Sequence, residues 1–411
     1  MARDKTVVVI GAGAAGCMAA IFAAEAGADV LLLERMKDGG RKILISGGGR
    51  CNVLPSQLSP AQYFTASSPN TLKKMLLSWP LADQRRFFEQ TLNIPLKLEP
   101  ESGKLFPVSD KARDVRDGLV DHAKHLGVRF QHDCYVMGLR SEDGKWFVQV
   151  EGGSEIETSR VIVATGGLSV PATGSDGTGM RLLRKLGHTI HDVYPALTPL
   201  TCEPPRHGDL AGVSLEVTLK SKELQTTGGF LFTHRGYSGP SVLNISHVAV
   251  LSRMRGGERE SVFVQWTARD AQSWNTALQQ KGTTSLGAVI RRDLPARLAD
   301  ALMHEANVDP QTTTSQLKKE QRQRLVEVLV DYQLPWTGDE GYKKAEVTGG
   351  GVALSEVDPK TMESRLHPRL FLCGEVLDAF GPIGGYNFLW AWATGRAAGA
   401  AAARSDVRSA G

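Results

Sequence analysis

The stretch that decides the fold is Thr6-Val7-Val8-Val9-Ile10-Gly11-Ala12-Gly13-Ala14-Ala15-Gly16, followed by an alanine-rich run to about Ala26. The apolar, β-branched run before Gly11 reads as a buried parallel strand. The alanine-rich run predicts a helix from Cys17 to about Ala26, ended by Gly27. Asp29-Val30-Leu31-Leu32-Leu33 then predicts a second strand, closed by Glu34. Gly11 permits the tight turn, Gly13 lets the backbone approach a pyrophosphate, and Gly16 lets the helix pack close to the strand. The helix start at Ala14 and Ala15 offers unpaired N–H groups and a positive dipole end to phosphates. Glu34, 23 residues past Gly11, stands where an acid accepts hydrogen bonds from ribose hydroxyls. An acid at this place favours NAD or FAD over a 2′-phosphorylated cofactor. The spacing leaves both open.

The 411 residues suffice for two or three domains, each with its own core. A hydrophobic fraction of 41% and a charged fraction of 22% are those of an ordinary globular protein. The formal charge of +4 is too small to argue for nucleic acid by itself. Met1 to Lys5 is short and charged, which leaves no room for an export signal. No apolar run is long enough to span a membrane, since the candidate from Phe388 to Ala403 is cut by Arg396. The five cysteines are scattered without a CxxC pair, so neither a redox dithiol nor a zinc site is expected. The chain reads as cytoplasmic.

Further along, Arg41-Lys42-Ile43-Leu44-Ile45-Ser46-Gly47-Gly48-Gly49-Arg50-Cys51-Asn52 sets three glycines between basic and polar residues, a backbone cradle for an anion or a flat ring. Residues 60 to 93 read as helical. Ser109 or Asp110 is expected to cap a helix running to about Leu126. Arg160 to Gly167 repeats the strand-to-glycine pattern around Ala164, Thr165 and Gly166. No GxGxxG helix follows, because Leu168-Ser169-Val170-Pro171 breaks it, so the strand is read as returning to the first ligand. From about His191 the pattern alternates with period two, as antiparallel strands do, and between 272 and 332 it turns helical. The α/β texture returns at Lys344, with Gly374-Glu375 ending a strand. The turn Gly381-Pro382-Ile383-Gly384-Gly385-Tyr386-Asn387 then opens a helix at Phe388. These changes predict a split nucleotide domain (1–190 with 344–411), a β insert (191–271 with 333–343) and a helical piece within it (272–332).

The motifs GAGAAG, Gly-Arg-Lys-Ile-Leu-Ile-Ser-Gly-Gly-Gly-Arg-Cys-Asn, Leu105-Phe106-Pro107 before Lys111-Ala112, and Ala164-Thr165-Gly166-Gly167 occur in this order. They are followed by Phe232-Thr233-His234-Arg235-Gly236-Tyr237-Ser238-Gly239-Pro240, Val347-Thr348-Gly349-Gly350-Gly351-Val352, Gly374-Glu375-Val376-Leu377-Asp378 and Gly384-Gly385-Tyr386-Asn387. Together they resemble the BaiN-like (YhiN-type) FAD-dependent oxidoreductases, also described as aminoacetone-oxidase-like flavoproteins, over residues 6 to about 400. The resemblance implies an α/β fold: a discontinuous, glutathione-reductase-like FAD-binding Rossmann domain with an inserted β-barrel-like domain that carries a small helical domain. It implies FAD as cofactor. The glycine turn from Gly11 to Gly16, Glu34 and Arg35 would hold the nucleotide, with Val136 near the adenine, and Lys42, Ala164, Thr165, Gly166, Gly374 and Glu375 would extend the contacts. Ser46, Gly47, Gly48, Arg50, Cys51 and Asn52, facing Ile383, Gly384, Gly385, Tyr386, Asn387 and Phe388, would flank the ring. Val53-Leu54-Pro55 and Phe380-Gly381-Pro382-Ile383 depart from the usual pattern near the expected flavin face.

The expected chemistry is NAD(P)H reducing the flavin by transient docking, with the hydride passing to an unsaturated small molecule. A ribosomal RNA uridine-to-dihydrouridine reductase and a small-amine oxidase using oxygen are the alternatives. For the RNA reading, Arg291, Arg292, Lys318 and Lys319 are the candidate phosphate contacts. Arg50, Cys51, His234 and Tyr386 are the candidates for polarising the acceptor or giving it a proton. Each also has a plain reading: a phosphate or capping arginine, a small buried thiol, a turn histidine, a packing tyrosine.

Overall fold

The computed structural model describes residues 6–279 and 282–404, so the charged start Met1–Lys5 lies outside the described residues. The chain divides into two compact units, Met1–Val193 with Val347–Gly411, and Tyr194–Glu346.

The first unit is built on five parallel strands in the order Leu370–Leu372, Arg160–Val163, Thr6–Ile10, Asp29–Leu33, Arg129–Gln131. Val7, Val8 and Val9 are wholly enclosed, which explains why this strand is apolar on both faces rather than alternating. The first helix spans Ala14–Glu25, three residues earlier than the alanine pattern suggested, because Gly13 already serves as its N-cap. At its end Ala28 donates to the Ala23 carbonyl and Gly27 to that of Ala24, the left-handed glycine stop that the sequence indicated. The last helix, Tyr386–Ala402, starts two residues before the expected Phe388. It lies against Ala14–Glu25 through Gly395 and Gly399, whose missing side chains let the two backbones touch.

Two expectations in this unit are corrected. Residues 60–93 are not one helical region but the turn Pro60–Gln62, the helices Pro69–Leu76 and Leu81–Arg86 and a widened turn Phe87–Thr91; Leu77 closes the first helix and Pro80 is the N-cap of the second. Neither Ser109 nor Asp110 caps the helix Ala112–His125, whose N-cap is Lys111 with no side-chain bond. Asp110 is drawn instead to Lys97. A small antiparallel sheet, ordered Leu54–Pro55, Lys104–Pro107, Leu96–Glu99, and a meander from Val136 to Thr158 complete the unit.

The second unit holds a seven-stranded antiparallel sheet in which Ser214–Lys220 and Gln225–Thr233 form the long central hairpin. Its helices Ala271–Leu278, Leu286–Ile290, Ala296–Glu305 and Lys319–Val330 share one hydrophobic core with that sheet. A 15-residue helix, Pro240–Met254, stands where the sequence reading had only strands. It is buried on most sides, so no polar stripe betrays its 3.6-residue period. No helix among the described residues is long and apolar enough to cross a membrane.

Candidate functional site

In the first unit the chain leaves the sheet at four neighbouring strand ends: Gly11 after Ile10, Glu34 after Leu33, Ala164 after Val163 and Cys373 after Leu372. Strand order reverses between Thr6–Ile10 and Arg160–Val163, and the carboxyl ends at such a reversal form the crevice where ligands of open α/β sheets bind. Gly11 adopts φ +101, and a Cβ there would stand 2.7 Å from the Ala164 carbonyl oxygen. A Cβ on Gly16 would overlap the Gly11 carbonyl oxygen outright. Gly13 differs from both. Its backbone is extended (φ −78, ψ −169), and no protein atom lies within 4 Å of where its Cβ would be. The protein does not need that glycine for itself. The open space at the helix start is where a pyrophosphate fits.

Glu34 is fixed against this turn: Oε2 accepts from the Ala12 N–H at 2.8 Å and Oε1 from the Met36 N–H at 2.9 Å. Burial raises its pKa, and these two bonds oppose the rise. Carboxylate lone pairs remain for hydroxyl donors. Arg35 pairs with Asp176 at 2.5 Å and lies over the Tyr135 ring, one residue from Val136. Opposite, the Gly374 turn is pinned by Thr394 Oγ1, which accepts its N–H, and by Trp390 Nε1, which donates to its carbonyl. A Cβ on Gly374 would lie 2.7 Å from that of Ala15, so this turn closes on the start of the first helix. Glu375 accepts from Ser169 Oγ (2.8 Å), the Thr348 N–H (3.0 Å) and Lys42 Nζ (3.0 Å). Lys42 also donates to Ser169 at 2.7 Å. Thr165 contributes a buried hydroxyl without a partner among the described residues.

The second glycine turn lies beside the small sheet. Gly47 and Gly48 take left-handed conformations, a Cβ on Gly47 would be 3.2 Å from the Phe106 ring, and Asn52 adjoins the same turn. Ser46 folds back on the Ile43 carbonyl. Across from it, Asn387 accepts the Gly381 N–H and donates to the Gly381 and Pro382 carbonyls, holding the Ile383-Gly384-Gly385 turn rather than facing outward. Phe388 stacks on Trp392. A Cβ on Gly385 would be 2.5 Å from the Leu54 carbonyl carbon, so this turn rests on the chain leaving Asn52.

The four catalytic candidates separate. Arg50 is engaged elsewhere: its guanidinium stacks on Phe106 at 4.0 Å and pairs with Glu99 at 3.0 Å. Cys51 is enclosed, and burial pushes its thiol up to about 12, so it holds no thiolate at neutral pH. His234 is an exposed residue of the second unit, after the strand Gln225–Thr233. Tyr386 is half-buried beside Tyr63, and burial raises its pKa, which keeps a proton on its hydroxyl. All five cysteines are buried. The native protein is expected to show no thiol to an aromatic disulfide reagent, and five after denaturation. A reactive thiol in the native state would contradict this assignment for Cys51.

Sequence reading missed Ser169, taken there only as part of a helix-breaking stretch, and Lys104, and it gave Phe106 no role beyond its place in the Leu105-Phe106-Pro107 motif. Their partners lie tens to hundreds of residues away, and no local signal marks them.

The chain has relatives along nearly its whole length. It is similar to a ribosomal RNA dihydrouridine synthase of Escherichia coli, 33% identical over 399 residues that cover 94% of this chain and 95% of the relative. It is also similar to a 3-dehydro-bile acid delta(4,6)-reductase of Clostridium scindens, 32% identical over 408 residues, 96% of this chain and 98% of the relative. A solved 3-ketosteroid delta1-dehydrogenase from Sterolibacterium denitrificans shares the fold, with a TM-score of 0.54 at 12% identity, over 97% of this chain and 99% of that one. Residues 5–401 match the family described as HI0933-like protein Rossmann domain, and the chain belongs to this family of FAD-dependent oxidoreductases.

Proposed function

We propose that this protein takes electrons from NAD(P)H through its FAD and delivers them to a carbon–carbon double bond conjugated to a carbonyl. The observation that carries the proposal is the pair of full-length relatives at 33% and 32% identity. One is named for making dihydrouridine and the other for reducing a Δ4,6 system, and both names describe saturating an alkene activated by a neighbouring carbonyl. The sequence has one GxGxxG, which supports transient docking of the nicotinamide rather than a second dinucleotide domain.

Bound FAD supplies the hydride chemistry. Gly13 and the N–H groups of Ala14 and Ala15 receive the pyrophosphate, and Glu34 receives the ribose. Lys42, Ser169 and Glu375 hold one another and the Gly374 turn in place beside the cofactor. Saturating an activated alkene also needs a proton. Tyr386, with its hydroxyl kept protonated and its backbone at the start of a helix, is the candidate donor. Tyr386→Phe is expected to lower turnover on the order of a hundredfold while leaving FAD bound. Unchanged turnover would remove Tyr386 from the mechanism.

A second reading, that the acceptor is uridine in ribosomal RNA, is favoured by the Escherichia coli relative. Among the basic residues of the helical segment, Arg291 is neutralised by Asp300, and Arg324 is tied to the Ala306 carbonyl. Arg292, Lys318 and Lys319 are exposed and make no ion pair among the described residues. Neutralising these three is expected to reduce the salt dependence of RNA binding by up to about three phosphate contacts. An unaltered salt slope would sink this reading. The test of the main proposal is product analysis: FAD-loaded protein and NADPH are supplied in turn with a 4-ene-3-oxo steroid and with undermodified ribosomal RNA. A product heavier by two hydrogens supports the proposal. Flavin turnover with no saturated product from either acceptor contradicts it.

A further inference from the structure

The strand Lys104–Pro107 of the small sheet underlies both glycine turns of the candidate flavin site. Lys104 and Phe106, two residues apart, point to the same face of that strand. Phe106 reaches the Gly47 turn. Lys104 reaches the other one: its Cε, Cγ and Cδ would lie 3.1, 3.4 and 3.6 Å from a Cβ on Gly384, so its stem runs along that glycine. A side chain at 384 would crowd this stem, which would have to give by a few tenths of an ångström.

The charges around Lys104 are otherwise spoken for. Arg50 is paired with Glu99, and Lys97 with Asp110. Lys104 is half-buried and makes no hydrogen bond or ion pair among the described residues, and its field reaches Glu99 only as a minor influence. Glu99 lies opposite Lys104 in the antiparallel register, but its carboxylate is held by Arg50 and Ser102, so the ammonium has no hydrogen-bonded anion of its own among the described residues. The glycine it lies along directly precedes Gly385, the N-cap of the helix Tyr386–Ala402, whose first N–H groups have no intrahelical acceptor. A flavin ring has one edge rich in acceptors, the pyrimidine carbonyls and N1, and one apolar dimethylbenzene edge. The polar edge matches a helix start beside a free ammonium. Reduction adds negative charge to that same edge.

We propose that Lys104 is a cofactor-tuning residue, whose ammonium, carried along Gly384, sits beside the polar edge of the flavin and favours the reduced over the oxidised cofactor. The inference rests on the reading that FAD lies across the Gly11–Gly16 and Ile383–Gly385 turns.

The test uses FAD-loaded wild type, Lys104→Met and Lys104→Arg. Methionine keeps most of the stem and removes the charge, and arginine keeps the charge. FAD content and thermal melting are measured first. Midpoint potentials are then found by equilibration with reference dyes, and sulfite affinity by flavin absorbance, since sulfite adds a negative charge to the oxidised ring. Lys104→Met is expected to lower the preference for reduced over oxidised FAD about tenfold, about 30 mV for a two-electron couple, and to weaken sulfite binding in parallel. Lys104→Arg is expected to stay near wild type. A potential unchanged in the FAD-loaded Lys104→Met protein overturns the role of Lys104 and leaves the FAD site standing. A wild-type protein that takes up no FAD overturns the reading beneath it, and this proposal with it.

Discussion

Gly13→Val is expected to purify as a folded but colourless protein. Valine is at home in the extended conformation that Gly13 already has, and its Cβ meets no protein atom within 4 Å. The fold therefore has no quarrel with it. The added branches would instead occupy the space at the start of the helix Ala14–Glu25, where the pyrophosphate needs direct access to backbone N–H groups. Affinity for FAD should fall on the order of a hundredfold or more, read as flavin absorbance per protein after purification, with the apoprotein melting near wild-type apoprotein. Gly16→Val makes the contrast. Its Cβ would overlap the Gly11 carbonyl oxygen, so that variant should not fold at all. A yellow Gly13→Val protein with a full complement of FAD would count against the whole cofactor layout.

The second large effect lies at the helix pair behind the site. Gly395 and Gly399, one turn apart on Tyr386–Ala402, abut Ala15 and Ala19 on the first helix. A Cβ on Gly395 would stand 2.5 Å from the Ala15 carbonyl oxygen, and one on Gly399 would overlap the Ala19 carbonyl oxygen. No rotamer relieves a clash at Cβ, so the backbones themselves must separate. Gly399→Val should cost roughly 3 kcal/mol or more, a drop in the melting temperature on the order of 10 °C, or leave the protein insoluble. FAD should be lost with it, because Ala15 also supports the Gly374 turn. A Gly399→Val protein that melts with wild type would show that the two helices are not in contact as described.

How much of this was legible in the sequence depends on whether the signal is local. Gly11, Gly166 and Gly374 each follow an apolar strand within three residues, and short-range chemistry sufficed to mark them. Glu34 was legible for the same reason. Pro240–Met254 was not, because a helix buried on most sides lacks the polar stripe that gives a period away. Arg50 looked like a ligand contact in its glycine-rich surroundings, but its partner Glu99 sits on another strand 49 residues on. Asp110 illustrates the reverse case: its position before a helix suggested a cap, and a lysine across the small sheet claimed it. Gly399 was not legible as a contact point: the run from Phe388 to Ala403 read only as a helix cut by Arg396, and nothing local names Ala19 as the residue it abuts. On the helical segment the sequence offered Arg291, Arg292, Lys318 and Lys319 as phosphate contacts, and the pairing of Arg291 with Asp300, nine residues on, engages one of the four.

The central claim is that the FAD held at these strand ends is reduced by a pyridine nucleotide. The most direct test is anaerobic: the FAD-loaded protein is mixed with NADH or NADPH separately, and the absorbance of oxidised flavin is followed. Rapid bleaching by at least one nucleotide, reversed when a conjugated enone or uridine-containing RNA is added, is the predicted result. A flavin that dithionite bleaches at once but that neither nucleotide reduces would contradict the account.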